Sequence, residues 1–576
     1  MYMRCLMASG AVALWLFVAN LSAAGSEVAD AVMRGDTAAV RALLAQKVDV
    51  NATQTDGATA LHWAVYRGDH AMADLLLQAG ANPKAANRDG ATVLSLASIN
   101  GDAVMISKLL QAGADPNDHL PQGETALMLA SRTGSLDAMK VLLDRGADVN
   151  VKEKVRGTTA LMWAVDESHP AAVQLLIDRG ANVSAASNPA PKGRSAGLGK
   201  AGDPRKGRTN QEQNALRQDQ TATDVARAAQ GQSAQRAPAA QADQAAQAAA
   251  LVLLAATGDL AAGGLTPLVF AARQNDLESA RILLAAGADV NQVTHYGWSP
   301  LLVATHNRNY KLASFLLDKG ANPSLANNGG WTPLYLAVDN RNIEGGDYPV
   351  RKGDMDHLEI IKKLLDKGAN VNARIKDVTD TRTTFTQQWV DENGATAFFR
   401  ASQSSDLVVM RLLLASGADP KIATVLNVTP LQVAAGIGWA EGLTYEWSEQ
   451  ANVEAVKLLL DLGIDPNLQA DTGRTALHGA GHKGRPAVIQ LLVDHGARLE
   501  TRDYGMTGND AGGRLENHAW QPVDYADGLV RVGVQSAIAH AEAGLLFRKL
   551  MKERGLYAPP MGRTLTSVCL VTEVCQ

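Results

Sequence analysis

The sequence predicts an all-α solenoid, a stack of paired helices with hairpin loops projecting along one edge. Three observations predict it: a start phrase recurs, its copies are evenly spaced, and each is followed by the same apolar stripe and the same exit. Thr59-Ala60-Leu61-His62 returns as Thr92-Val93-Leu94-Ser95, Thr125-Ala126-Leu127-Met128 and Thr159-Ala160-Leu161-Met162. It resumes as Thr266-Pro267-Leu268-Val269, Ser299-Pro300-Leu301-Leu302 and Thr332-Pro333-Leu334-Tyr335, then again at Thr396, Thr429 and Thr475. Uninterrupted steps are 33 or 34 residues. A fixed period of this size marks stacked supersecondary units, each touching only its neighbours.

One unit shows how the elements follow. Asp89-Gly90 makes a turn, with Gly supplying a backbone conformation that other residues resist. Thr92 is placed to cap a first helix through Leu94, Leu96 and Ala97, and Gly101 ends it. A second helix carries Met105, Ile106, Leu109 and Leu110, the buried stripe of an amphipathic helix. Gly113 stands where a left-handed C-terminal cap is wanted, and Asp115-Pro116-Asn117 leads into the next hairpin.

This pattern resembles the ankyrin repeat, with its Gly-x-Thr-Pro-Leu-His-x-Ala-Ala start, Val-x-x-Leu-Leu second helix and Gly-Ala-Asp-x-Asn exit. Gly146-Ala147-Asp148-Val149-Asn150 and Gly287-Ala288-Asp289-Val290-Asn291 match the exit residue for residue. The resemblance spans about residues 26–557 apart from insertions. It implies antiparallel helix pairs, projecting β-hairpin loops and a concave face that binds proteins. More narrowly, the chain is similar to exported bacterial ankyrin-repeat proteins with comparable interruptions. Residues 26–50 and 521–557 read as worn terminal units, and terminal units need one polar outer face.

The start phrase also serves as a ruler. From its Thr to the Gly ending the second helix is 21 residues in regular units, and from that Gly to the next Thr is 12. Departures locate insertions at 341–355 and 438–450, between paired helices, and at 376–392 and 504–519, in hairpins. Between Gly180 and Thr266 the interval is 86 residues. Residues 188–217 are rich in Gly, Pro, Lys, Arg and Asn, a composition of disorder. Residues 236–256 are Ala- and Gln-rich, end in Leu251-Val252-Leu253-Leu254, and read as a helix whose apolar end covers the Thr266 repeat. The expected organisation is a leader at 1–24, a repeat block at 25–186, a low-complexity linker at 187–250, a decorated block at 251–557 and a tail at 558–576. The sequence leaves open whether the two blocks stack continuously.

Net charge is −5 and the isoelectric point is near 6.2, which argues against a nucleic-acid binder and its basic face. At the N-terminus, Arg4 is the only charge before Glu27, Leu6–Val18 is mostly apolar, and Leu21-Ser22-Ala23-Ala24 offers small residues for cleavage. These are the parts of an export signal, and they point to a periplasmic or secreted protein with no membrane contact after cleavage. A retained anchor is the alternative, but the apolar stretch is short for a span. Removal of Cys5 with the leader leaves Cys569 and Cys575, which form either a disulfide or two free thiols on the tail.

Tryptophans sort by register. Trp63 and Trp163 follow the start phrase and read as core. Trp298, Trp331 and Trp520 occupy the x of Gly-x-Thr-Pro or its equivalent, beside the hairpin, where the resemblance implies either target contact or packing on the neighbouring hairpin. Trp389, Trp439 and Trp447, with Tyr445, lie in or beside insertions, as partner anchors or as side chains that fold the insertions down. The resemblance also marks the two residues ending each first helix as target-facing or plain surface: Tyr66-Arg67, Ile99-Asn100, Arg132-Thr133, Asp166-Glu167, Arg273-Gln274, His306-Asn307, Asp339-Asn340, Gln403-Ser404 and His482-Lys483. Their mixed signs fit a protein partner better than a polyanion. The partner-binding candidates are therefore Tyr66, Arg67, Arg132, Arg273, Tyr296, Trp298, His306, Trp331, Trp439, Tyr445, Trp447 and Trp520.

Motifs for chemistry are weak. His478 and His482 have i, i+4 spacing, but Gly479 stands where a metalloprotease needs Glu. Gly436-Ile437-Gly438 is too short for a phosphate cradle, and Gly-x-Ser-x-Gly is absent. The sequence calls for no cofactor and no metal. It reads as a non-enzymatic scaffold, exported, binding a protein through its concave face and hairpin edge. The alternatives are a secreted effector acting on host proteins, and an enzyme subunit with a site among insertions 376–392, 438–450 and 504–519.

Overall fold

The structure, a computed structural model, describes residues 26–190, 262–342, 352–376, 390, 392–439, 445–505, 519–530 and 538–564. The leader, most of the linker with Leu251–Leu254, Trp389, Cys569 and Cys575 lie outside the described residues, as do parts of all four insertions.

The described chain is built from helix pairs, as the period requires. It divides into two compact units, one comprising residues up to 190 with 263–294, the other mainly residues from 295 onward. In the first unit the pairs are α1 (Glu27–Arg34) with α2 (Thr37–Ala45), α3 (Ala60–Tyr66) with α4 (His70–Gln78), and α5 (Val93–Ile99) with α6 (Ala103–Gln111). They continue as α7 (Ala126–Thr133) with α8 (Leu136–Asp144), α9 (Ala160–Asp166) with α10 (Pro170–Asp178), and α11 (Pro267–Gln274) with α12 (Leu277–Ala285). First helices pack on first helices and second on second, forming two layers. The only strands among the described residues are the two-residue β1 (Pro189–Ala190) and β2 (Ala262–Gly263).

The break between units therefore falls after Thr294, not at the linker, and the repeat starting at Thr266 continues the first stack. Helices α11 and α12 pack on α9 and α10. The junction is completed by Ser187 N–H donating to Leu265 O at 3.0 Å, Leu265 N–H to Ser187 Oγ at 2.9 Å, and Gln292 Nε2 to Ser184 O at 3.1 Å. An internal repeat leaves one apolar face bare, and the repeat after the linker supplies its cover.

The second unit pairs α13 (Pro300–His306) with α14 (Tyr310–Asp318), α15 (Pro333–Arg341) with α16 (His357–Asp366), and α17 (Ala397–Gln403) with α18 (Leu407–Ala415). Then come α19 (Pro430–Ala435) with α20 (Glu449–Asp461), α21 (Ala476–Lys483) with α22 (Pro486–Asp494), and α23 (Pro522–Ala526) with α24 (Ala541–Glu553).

Capping explains the start phrase. In α5, Thr92 Oγ1 accepts from Ser95 N–H at 3.1 Å; in α6, Asp102 Oδ1 accepts from Met105 N–H at 2.9 Å. Each satisfies a donor the helix leaves orphaned. The exit phrase is a clamp between neighbours. Asn117 Nδ2 donates to Gly146 O at 2.9 Å while its Oδ1 accepts from Asp148 N–H at 2.7 Å. Asn51, Asn150, Asn372 and Asn467 repeat the pattern.

Candidate interaction surface

In the first unit the ends of the first helices form an exposed row. Tyr66 is 66% exposed and Ile99 is 48% exposed. The Tyr66 ring stands edge-on to Trp63, with centroids 5.8 Å apart. Arg67 is exposed and donates to Met33 O at 3.3 Å. Trp63 and Trp163, expected in the core, are only half-buried, because each indole N–H turns to a polar partner: Gln54 Oε1 at 2.7 Å and Thr158 Oγ1 at 2.8 Å. Arg132 lies 5.9 Å from the Trp163 ring centre and 3.5 Å from a Glu167 carboxylate oxygen. Arg273 pairs with Asp166 at 2.5 Å, and Gln274 donates to the same carboxylate. Such partly exposed pairs contribute at most about 1 kcal/mol each, so they leave the row available to a ligand. The row changes character along its length, from aromatic and aliphatic at Tyr66 and Ile99 to paired charges at Asp166, Glu167 and Arg273.

The same positions in the second unit are covered. His306, Asn340, Gln403, Ser404, His482 and Lys483 are buried. Beneath them runs a polar network. Arg400 donates to Asp339 at 2.8 Å, to Ser404 Oγ at 2.9 Å and to Asn342 O. Arg341 pairs with buried Asp406 at 2.8 Å, and Asn340 Nδ2 donates to Thr305 O at 2.7 Å. Part of the cover is residues 445–447 of the 438–450 insertion. The Trp447 indole donates to Asn342 Oδ1 at 2.9 Å, and the Arg341 guanidinium lies 4.3 Å over its ring. Glu446 accepts from Lys483 Nζ and, at 2.9 Å, from Arg485. Burial lowers the Lys483 pKa to about 8, opposed by the Glu446 charge.

Several partner-binding candidates are corrected by burial. Trp298, Trp331 and Trp520 are almost wholly inaccessible. The residue before the start-phrase Thr closes the hairpin: Trp331 N–H donates to Asn327 Oδ1 at 3.0 Å and its carbonyl accepts from Asn327 N–H at 3.1 Å. Trp520 does the same with Asp503, at 2.7 and 2.9 Å. Their rings are directed inward, Trp331 edge-on to Tyr335 at 5.1 Å. His306 is buried against the Trp298 ring at 5.2 Å, and Tyr296 is half-buried. Trp439 is half-buried and stands edge-on to His482, with ring centroids 6.2 Å apart. Tyr445 and Trp447 remain partly exposed although their segment is docked.

His478 and His482 do not present a free pair. His478 Nδ1 accepts from Thr475 N–H at 3.0 Å and Nε2 donates to Trp520 O at 3.1 Å, so both ring nitrogens are used by a capping box and the next hairpin. Burial lowers both histidine pKa values to about 4, with His540 adding to the effect at His482. Among the described residues no group of three or more His, Cys, Asp or Glu is arranged to hold a metal ion, and no helix is long and apolar enough to cross a membrane.

The family model described as "Ankyrin repeats (3 copies)" matches residues 28–119, 97–187, 268–375 and 446–508, more than half of the chain. The chain belongs to the ankyrin-repeat family. Such stacks are protein-interaction scaffolds, and the helix layers and clamped hairpins above are their architecture. Among curated proteins, the chain is 26% identical over 170 residues to human (Homo sapiens) SH3 and multiple ankyrin repeat domains protein 2, covering 26% of this chain and 8% of that protein. It is 28% identical over 160 residues to the E3 ubiquitin-protein ligase KEG of Arabidopsis thaliana, covering 27% and 9%. It is 38% identical over 61 residues to serine/threonine-protein kinase 12 of the same plant, covering 10% and 13%. The matches thus span 8 to 13% of these relatives' own length.

Sequence reasoning missed Arg400, Asp406, Glu446, Lys483 and Asn342 as members of one network. One signal was present: Arg400 follows Phe398-Phe399 directly in a first helix, and a charge inside an apolar phrase needs a buried partner. The partner, Asp339, lies a repeat away and is named only by the fold.

Proposed function

We propose that this ankyrin-repeat protein is a non-enzymatic scaffold, exported from the cytoplasm, that holds a protein partner against the first-helix ends of its first unit. The observation that carries the reading is the exposed row Tyr66, Arg67, Ile99 and Arg132. Aromatic and Arg side chains dominate interface energetics, and large apolar side chains grouped on a surface mark contact sites. The row is built on helices clamped repeat to repeat, so binding needs little ordering.

Crosslinked affinity capture from the native compartment tests this with the wild type and a Tyr66→Ala/Ile99→Ser variant. Both side chains are exposed, so the variant keeps its fold, checked by circular dichroism. A partner recovered by the wild type and reduced at least about tenfold with the variant is the expected result. Equal recovery by both proteins would sink the assignment. Export is supported by the Arg4, Leu6–Val18 and Leu21–Ala24 pattern. Mature protein lacking residues 1–24 is expected, and a retained leader would contradict it. Recovery from culture medium instead of periplasm would support the effector reading.

A further inference from the structure

The structure assigns a second docking site, on the first-helix ends of the second unit. We propose that it takes an extended peptide carrying a carboxylate beside an aromatic side chain, and that Tyr445-Glu446-Trp447 fills it in cis.

The segment crosses three repeats at the position left open in the first unit. Trp447 meets Arg341 and Asn342 at the end of α15, and its N–H donates to Ser404 O after α17 at 3.4 Å. Glu446 meets Lys483 at the end of α21 and Arg485 just beyond it. Glu449 adds a 3.2 Å contact with Arg485. Core segments bury their aromatic rings; here Tyr445 and Trp447 stay 37% and 41% exposed, edge-on to each other at 5.6 Å. The contacts that fix the segment are polar tips and one cation–π stack, the chemistry of a bound peptide.

Charge selects the ligand. The Lys483 ammonium is fully buried and its carboxylate partner is Glu446. With the segment displaced, Lys483 is left uncompensated, so an incoming ligand must supply a carboxylate of its own. The Arg485 Nε is buried without a hydrogen-bond partner, a further donor for that group. The tethered segment competes at an effective concentration on the order of millimolar, so an outside ligand binds weakly until the cis contact is loosened.

Fluorescence anisotropy on the full chain tests this with a fluorescein-labelled peptide of residues 445–450, Tyr-Glu-Trp-Ser-Glu-Gln. The Glu446→Gln/Trp447→Ala protein is expected to bind it at least tenfold more tightly than the wild type. A peptide with the same two substitutions should not bind. Trp447→Ala alone, which keeps the Glu446–Lys483 pair and guards against misfolding of the double variant, should give a smaller gain. Arg485→Ala in that background should abolish the gain. Equal binding to wild type and loosened proteins, no binding to either loosened variant, or equal binding of the substituted peptide would overturn the proposal. So would equal binding of a labelled single-stranded oligonucleotide, which would make the site a general anion surface. These outcomes leave the first-unit surface untouched, since Tyr66 and Ile99 take no part.

Discussion

Histidine at the last position of the start phrase serves the fold. His62 and His478 each accept from the N-cap N–H and donate to the next hairpin, so both are held neutral. Burial depresses His478 and His482 to about 4, below the ordinary 6.5. The unfolded chain then binds more protons as pH falls through 6.5, and stability is lost between pH 6.5 and 4. At pH 5 the cost is about 2 kcal/mol for each. Gln432 makes the same capping contacts with an amide, accepting from Thr429 N–H at 2.7 Å. His478→Gln is therefore expected to keep the fold at pH 7.5 and to remove about 2 kcal/mol of the loss at pH 5, read from urea midpoints. A second residue-level test is Arg400→Ala, which strands Asp339 and is expected to cost about 3–5 kcal/mol. Arg400→Met with Asp339→Asn should recover part of that loss. The histidine position was legible, since the start phrase of the resemblance carries His there. The Arg400 role was not, because its partner is separated by two insertions as well as a repeat.

Element boundaries follow from local chemistry that the sequence displays. Thr marks the start of most first helices, Asp the start of several second helices and Gly the end of most of them, and caps act within one turn. What local chemistry omits is how closely neighbouring helices approach. Gly479 sits inside α21, where a Cβ would lie 2.6 Å from Ile437 N. Gly479→Ala improves helix propensity but forces α19 and α21 apart. A net loss of roughly 1–3 kcal/mol is expected in thermal melts, and a gain in stability would show the contact to be slack. Gly80 differs: its φ is 89° and the space around it is open, so only the left-handed backbone is at stake. In a sequence the two glycines look alike; only the neighbouring backbone distinguishes them. Hairpin tryptophans make the same point. Register placed Trp298, Trp331 and Trp520 correctly beside the hairpin, and burial then showed which way their rings face.

For the whole molecule, the 33-residue step was enough to establish a stack of helix pairs, because each unit needs only a neighbour to bury its apolar stripe. The long interval left open whether the stack continues across it. In the structure α11 and α12 close on α9 and α10, so a chain cut by a protease site engineered between 191 and 261 should leave its two pieces associated. Co-elution on size exclusion in low and moderate salt is the expected result, since the junction rests on helix packing as well as the Arg273–Asp166 pair. Separation of the pieces would place the boundary in the linker. By itself the sequence determined the repeat, its caps, its exit phrase and the places where the period fails. These depend on contacts within one step of the chain. Tertiary structure alone decided which side chains remain available. Equivalent first-helix ends are open at Tyr66 and Ile99 and covered at Gln403 and Lys483, because exposure depends on what packs above a residue. Part of what packs there is an insertion whose landing place no local pattern records.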